Sequence, residues 1–280
     1  MFPPVTLPRS SQRVIRHAGA DYQLQVAWPA SPPPPGGYPV VYLLDAHAGF
    51  ATAAESERAR SHRTDATGVP PTVVVGISLG GERVDKTRRT FDFTRPGLAL
   101  PESERQAGVA APETGGAEAM TDLLTNVVMP TVESEHPIDT ARRMLFGHSL
   151  SGLFVVEVLL ADPFRFGAFV AASPSLWWDP DGIADRAAAL VDRTRSEAPH
   201  VLLTAGSFEE TLPPRLVGRP EAPEILARRQ RRRMVGRIRD LARQLAPLTA
   251  HGGSARALVF AGEDHASVLP LTINEALRIW

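Results

Sequence analysis

The 280-residue sequence contains no cysteine. That excludes a disulfide scaffold, cysteine-ligated zinc, iron–sulfur clusters and thiol catalysis. It also removes the usual sequence mark of an oxidising compartment. Lysine is nearly absent too: Lys86 is the only one, and the remaining Lys/Arg positions are all arginine. No apolar run approaches the ~18 residues that a membrane-spanning helix needs. The opening segment, MFPPVTLPRSSQRVIRHAG, has no basic start followed by an apolar stretch, so it does not read as a secretory signal. A cytoplasmic protein with no membrane partner is the expectation. The formal net charge is only −1, which argues against a protein built to bind a polyanion such as nucleic acid.

What the sequence does contain is a series of short, β-branched, uninterrupted apolar runs, at 39–44, 72–77, 143–147, 168–173, 200–206 and 257–262. Strands buried on both faces of a parallel sheet have this character. The stretch 21–28, DYQLQVAW, alternates instead, as an antiparallel edge or hairpin strand does. Helical patterns over 117–135, 149–161 and 223–245 lie between the runs. The alternation predicts an α/β fold with a mostly parallel central sheet, helices on both faces and an N-terminal antiparallel hairpin. The PPPPGG segment at 32–37 reads as the hairpin tip. No repeat or shift of composition divides the chain, so 1–280 reads as one catalytic domain. The aperiodic stretch 94–116 is long for a connection and reads as a lid or mobile loop. A second irregular stretch, 211–223, carries four prolines.

The sharpest signal is Gly147-His148-Ser149-Leu150-Ser151-Gly152, placed between a short apolar strand and a helical run. A serine on such a strand-to-helix turn is a nucleophile elbow, with its hydroxyl presented at the carboxyl end of the sheet. Position +2 is Ser151 rather than glycine, but serine is still small. The amide of Leu150, at the start of the helix, is a candidate oxyanion donor. The second donor is expected on the loop after 40–44, from the amide of Ala46 or His47.

A serine nucleophile needs a base. His265 follows the last apolar run and the polar turn Glu263-Asp264, where this architecture carries its histidine. His47, His136, His148 and His200 are weaker candidates. His136 and His200 precede strands, and His148 is the variable position of the elbow. The acid is expected after the run 200–206. Glu209 is the first choice, Glu210 the second, and Asp179 and Asp181 lie further out. A Ser–His dyad without an acid is the remaining form.

Several segments resemble, in order, the esterase branch of the α/β-hydrolases, in particular the enterochelin (trilactone siderophore) esterases. They are Tyr42-Leu-Leu-Asp45, Val75-Gly-Ile77, Arg89-Thr-Phe-Asp-Phe-Thr94, Gly115-Gly-Ala117, His136-Pro-Ile-Asp139, the elbow, Ser173-Pro-Ser-Leu-Trp-Trp178, Gly206-Ser-Phe-Glu209 and Gly262-Glu-Asp-His-Ala-Ser267. Together they span about residues 40 to 270. The resemblance implies an α/β-hydrolase fold, Ser149 as nucleophile, His265 as base, Glu209 as acid and Arg89 as a substrate-binding residue. Ala46 stands where that family frequently has glycine.

A ferric tris-catecholate is a trianion, and guanidinium groups suit it by charge and by stacking on aromatic rings. Arg83, Lys86, Arg88, Arg89 and Arg95 follow a strand and belong to the active-site edge on this reading, with Arg88 and Arg89 as substrate ligands; a solvated charged loop is the bland alternative. Trp177 and Trp178 are candidates for an aromatic wall, with packing the bland role for at least one. The run Arg228–Arg233 reads as the solvated face of a helix. The expected activity is ester (lactone) hydrolysis through an acyl-enzyme, with a ferric trilactone siderophore as the preferred substrate. No cofactor and no protein-bound metal are expected, because the iron belongs to the substrate. A biosynthetic acyltransferase, a general carboxylesterase and a non-catalytic binding module are the alternatives. The oligomeric state is not encoded legibly.

Overall fold

Each of the seven runs read as strands forms one, and an eighth precedes them. In chain order the strands are β1 (Ser10–His17), β2 (Ala20–Ala27), β3 (Tyr38–Leu44), β4 (Val73–Leu79), β5 (Ile138–His148), β6 (Ala168–Ala172), β7 (His200–Gly206) and β8 (Ser254–Phe260). The computed structural model describes residues 2–3, 5–80, 85–105, 107–194 and 197–280. The strands make one sheet in the order β1-β2-β4-β3-β5-β6-β7-β8. Everything from β4 to β8 pairs in parallel, while β1–β2 and β2–β4 are antiparallel.

The N-terminal hairpin is present, but its tip lies elsewhere than expected. Ala18 and Gly19 turn the chain with φ of 45° and 79°, the two positive angles that fit the twist of a two-residue hairpin. The 32–37 segment is instead a crossover, because β4 sits between β2 and β3 in the sheet. The physical reason is burial. Every residue of β3 is buried, so β3 must lie in the covered parallel body, and the alternating β2 takes the flank.

The helices are α1 (Phe50–Arg60), α2 (Thr64–Thr67), α3 (Lys86–Asp92), α4 (Ala117–Asp122), α5 (Met129–Glu135), α6 (Leu150–Ala161), α7 (Pro180–Arg193), α8 (Ala222–Arg232), α9 (Met234–Leu245) and α10 (Val268–Ala276). The strand side chains alternate between two cores. Val41, Leu43, Met144 and Phe146 pack under α1 and α10. Tyr42, Leu44 and Leu145 pack under α6, α7 and α9. Removing this apolar surface from water is the main force holding the layers together.

Two helical expectations change. The pattern over 223–245 is two helices, broken at Arg233, which adopts φ 47° and ψ 46°. The cations after β4 do not lie on an open loop: Lys86, Arg88 and Arg89 belong to α3, which is capped by Asp85 accepting from the amides of Thr87 and Arg88. Arg83 lies outside the described residues. Among the described residues, the stretch 94–116 is irregular apart from a 3₁₀ turn at Glu102–Glu104. Among the described residues no helix is long and apolar enough to cross a membrane.

Candidate active site

Three neighbouring parallel strands, β3, β5 and β6, each end in a non-glycine residue with positive φ: Asp45 at 53°, Ser149 at 62° and Ser173 at 44°. Such angles cost an L-residue roughly 1–2 kcal/mol. The surrounding packing overrides that cost at one edge of the sheet, and every member of the site is built there.

Ser149 sits between β5 and α6. Its amide donates to Ala172 O at 2.9 Å, and its carbonyl accepts from Ser175 N at 3.0 Å, so the turn is clamped from the β6 side. Gly147 allows the turn to close, since a Cβ there would lie 2.3 Å from Ser151 O. The unusual Ser151 is absorbed by the elbow itself. Its hydroxyl donates to His148 O at 2.9 Å and accepts from His148 N at 3.0 Å.

His265 lies on the turn between β8 and α10. Its Nε2 is 2.9 Å from Ser149 Oγ, and its Nδ1 is 2.6 Å from Glu209 Oε2. Glu209 closes the short turn after β7 and is buried. Its other oxygen accepts from Ser173 Oγ at 2.5 Å and from Gly206 N at 2.9 Å. Burial pushes the Glu209 carboxyl upward. The bonds from His265, Ser173 and Gly206 outweigh that and hold it below the ordinary glutamate range. The other acid candidates point elsewhere. Glu210 accepts from Gly236 N at 2.6 Å at the start of α9, Asp179 pairs with Arg95 and Arg186, and Asp181 lies in the first turn of α7.

The amide of Leu150 opens α6 and therefore has no carbonyl to meet within the helix. Ala46 and His47 form a 3₁₀ turn directly after β3, next to β5 in the sheet. The alanine methyl is accommodated by Gly76 of β4, where an added Cβ would come within 2.7 Å of Ala46 Cβ. Backbone amides thus follow two adjacent strands at the edge that carries Ser149.

Arg89 and Arg88, expected to face the substrate, are both engaged by protein groups. Arg89 Nε and Nη2 hold Asp45 Oδ2 at 2.9 and 2.7 Å. Arg88 Nε donates to the buried Asp92 at 2.7 Å, and its Nη2 donates to Tyr22 Oη at 3.0 Å and Ala18 O at 3.2 Å. Arg88 therefore ties α3 to the N-terminal hairpin, and neither Arg88 nor Arg89 is among the residues that line the serine cavity. Adjacent residues on α3 point about 100° apart, so Arg88 turns to Asp92 and the hairpin while Arg89 turns to Asp45. Trp178 is buried in the core, whereas Trp177 lines the cavity beside Ser149.

That cavity, about 220 Å³, also receives Arg228, Arg229 and Arg232. The arginine run is thus more than a solvated face. Positions 228, 229 and 232 fall on one side of α8, an i, i+1, i+4 set, and that side meets the edge that carries Ser149. Arg232 stacks over Trp177 at 4.3 Å and donates to Glu104 Oε2 at 2.6 Å. Arg229 donates to Thr211 O at 2.6 Å. The arrangement can activate a serine hydroxyl, stabilise an oxyanion and hold an anionic, aromatic ligand alongside.

The family model described as "Putative esterase" matches residues 16–238. The chain is 35% identical over 277 residues to the ferri-bacillibactin esterase BesA of Bacillus subtilis (strain 168), covering 98% of this chain and 90% of that protein. It is 30% identical over a 292-residue alignment to the siderophore triacetylfusarinine C esterase of Aspergillus fumigatus, covering 99% of this chain and 94% of that one. The fold matches the crystal structure of the BES protein from Bacillus cereus with a TM-score of 0.80 at 26% identity, covering 99% of this chain and 98% of that one.

Proposed function

This chain belongs to the esterase family of α/β-hydrolases, and from that premise we propose that it hydrolyses the lactone esters of a ferric siderophore through an acyl-enzyme. The observation that carries the reading is the hydrogen-bonded series Ser149–His265–Glu209 opening into a cavity lined by three arginines and Trp177. The relatives named as siderophore esterases support the substrate class.

Ser149 Oγ attacks the ester carbonyl while its proton passes to His265 Nε2. Glu209 keeps the proton of His265 on Nδ1 and stabilises the imidazolium that forms. The amides of Leu150 and of Ala46 or His47 meet the oxyanion. Collapse of the tetrahedral species expels the alkoxide, which takes the proton from His265. Water, deprotonated by the same histidine, then releases the acid and restores Ser149. The iron travels with the substrate, and the arginines face its anionic catecholates. On this reading the 1–280 chain acts as one catalytic domain in the cytoplasm, where freed iron is used.

The test is hydrolysis of ferric and iron-free enterobactin and bacillibactin, followed by chromatography and mass spectrometry, with Ser149→Ala as control. Serine-dependent opening that is faster for the ferric forms is expected. Cleavage of small aryl esters without trilactone opening would keep the serine chemistry and overturn the substrate.

A further inference from the structure

We propose that His148, the residue between Gly147 and the nucleophile, is a positioning residue that fastens the backbone of His265 to the elbow. This deepens the serine-esterase reading above and rests on it. His148 Nε2 lies 2.6 Å from His265 O. A carbonyl only accepts, so Nε2 carries the hydrogen and the tautomer is fixed. The two rings pack with centroids 4.7 Å apart.

The need for such a fastening follows from where His265 sits. Its side chain is 46% exposed, so packing alone gives the ring little support. The turn before it is held by Asp264, whose Oδ1 accepts from the amides of Ala266 and Ser267 at 3.1 Å. Phe208 N donates to Glu263 O at 2.9 Å and anchors the turn to β7. These bonds brace the peptides around His265 from within its own turn and from β7. The bond from His148 instead ties His265 O to the elbow, and His148 is covalently next to Ser149. Nucleophile and base are therefore linked by one peptide bond and one hydrogen bond.

The charge state agrees with this role. Burial, then the neighbouring His265, push the His148 imidazole down to about 4, against the opposing pull of Glu209 and with Arg89 also nearby. His148 thus stays neutral near pH 7. A second cation beside His265 would oppose the imidazolium that ester attack creates.

The experiment compares His148→Phe with His148→Gln. Phenylalanine keeps a planar ring without a donor. Glutamine Nε2 keeps a donor at comparable reach. For a small aryl ester, the Phe variant is expected to lose about 10- to 100-fold in kcat with KM within about threefold, as a displaced catalytic group does. The Gln variant is expected to recover most of that loss, with both variants melting within a few degrees of the parent. A Phe variant with parental kcat, or a Gln variant no better than Phe, would overturn the proposal. The low-field proton resonance of His265 Nδ1–H supplies a readout that needs no substrate. It should persist in the parent and the Gln variant and broaden or vanish in the Phe variant, and an unchanged resonance in the Phe variant counts against the role. If Ser149→Ala is as active as the parent, the esterase reading fails, while the resonance still decides the positioning of His265.

Discussion

The guanidinium of Arg89 grips the carboxylate of Asp45, with Nε and Nη2 both within 3.0 Å of it. Asp45 is the left-handed residue that launches the Ala46–Ala48 turn, so this pair joins α3 to the turn proposed to carry the second oxyanion donor. Family resemblance assigns Arg89 to the substrate, and the geometry gives it a second task. Substituting Arg89 with alanine should then lower kcat by about one to two orders of magnitude, the scale of a weakened oxyanion donor, with little change in KM. Neutral aryl esters and ferric siderophores should suffer alike. Steady-state kinetics on both substrates check this, because a pure substrate ligand would show its loss in KM for the siderophore alone.

Glu209 holds His265 by a single bond from Nδ1. Glu209→Gln should cost about 10³- to 10⁴-fold in kcat, since an amide can donate where the imidazole also donates and so favours the wrong tautomer. Glu210→Gln, which keeps an acceptor for the Gly236 amide at α9 and removes only the charge, should leave kcat within a few-fold of the parent. Reversed magnitudes would transfer the acid role to Glu210.

The same carboxyl makes stability depend on pH. Its folded value lies below its ordinary 4.5, so the unfolded chain binds the proton more readily. The stabilisation is complete above about pH 4.5 and fades as the pH falls through the folded value. Between pH 7 and pH 3.5 the parent should lose more melting temperature than Glu209→Gln does. Melting curves of the two at both pH values measure the difference, and equal losses would deny the linkage.

The arginine edge makes a kinetic prediction. Arg228→Ala and Arg229→Ala should each raise KM for a ferric tris-catecholate about three- to fivefold, the yield of a partly exposed ion pair. The effect on a neutral ester should be much smaller. Parental KM for the ferric substrate should rise with salt, because exposed charges are screened over ~10 Å at 0.1 M. A salt-independent KM would mean that shape, and not charge, selects the ligand.

Much of this site is legible in the sequence because its chemistry is local. A strand, a small-residue turn and a helix place Ser149, and the turns after β7 and β8 place Glu209 and His265. The parallel body is legible for a similar reason, since burial on both faces makes β3, β4, β6, most of β7 and the second half of β5 apolar. What is hidden depends on contacts between distant segments. β1 has four consecutive exposed residues and lacks an apolar run, and its turn is Ala-Gly rather than the usual Asn-Gly. The break at Arg233 carries no glycine to announce it. Arg88 differs from Arg89 only in the face of α3 that it occupies. The arginines of α8 have ordinary helical spacing, and only the packing of α8 against the catalytic edge gives them a role.

Glu104 links the 94–116 stretch to that edge. Its side chain is only 7% exposed and bonds Arg232, which lies over Trp177. The carboxylate cancels one of the cavity's three positive charges at a place where water screens poorly. Glu104→Gln keeps the shape and an acceptor oxygen for Arg232 but removes the charge. KM for the ferric substrate should therefore fall about two- to fivefold, while kcat for a neutral aryl ester stays near parental. Should KM rise instead, the carboxylate is needed to keep Arg232 on Trp177, and stacking, not net charge, governs binding there. Tryptophan fluorescence separates the two cases, because loss of the Arg232–Trp177 contact changes the emission and a simple gain of charge leaves it in place.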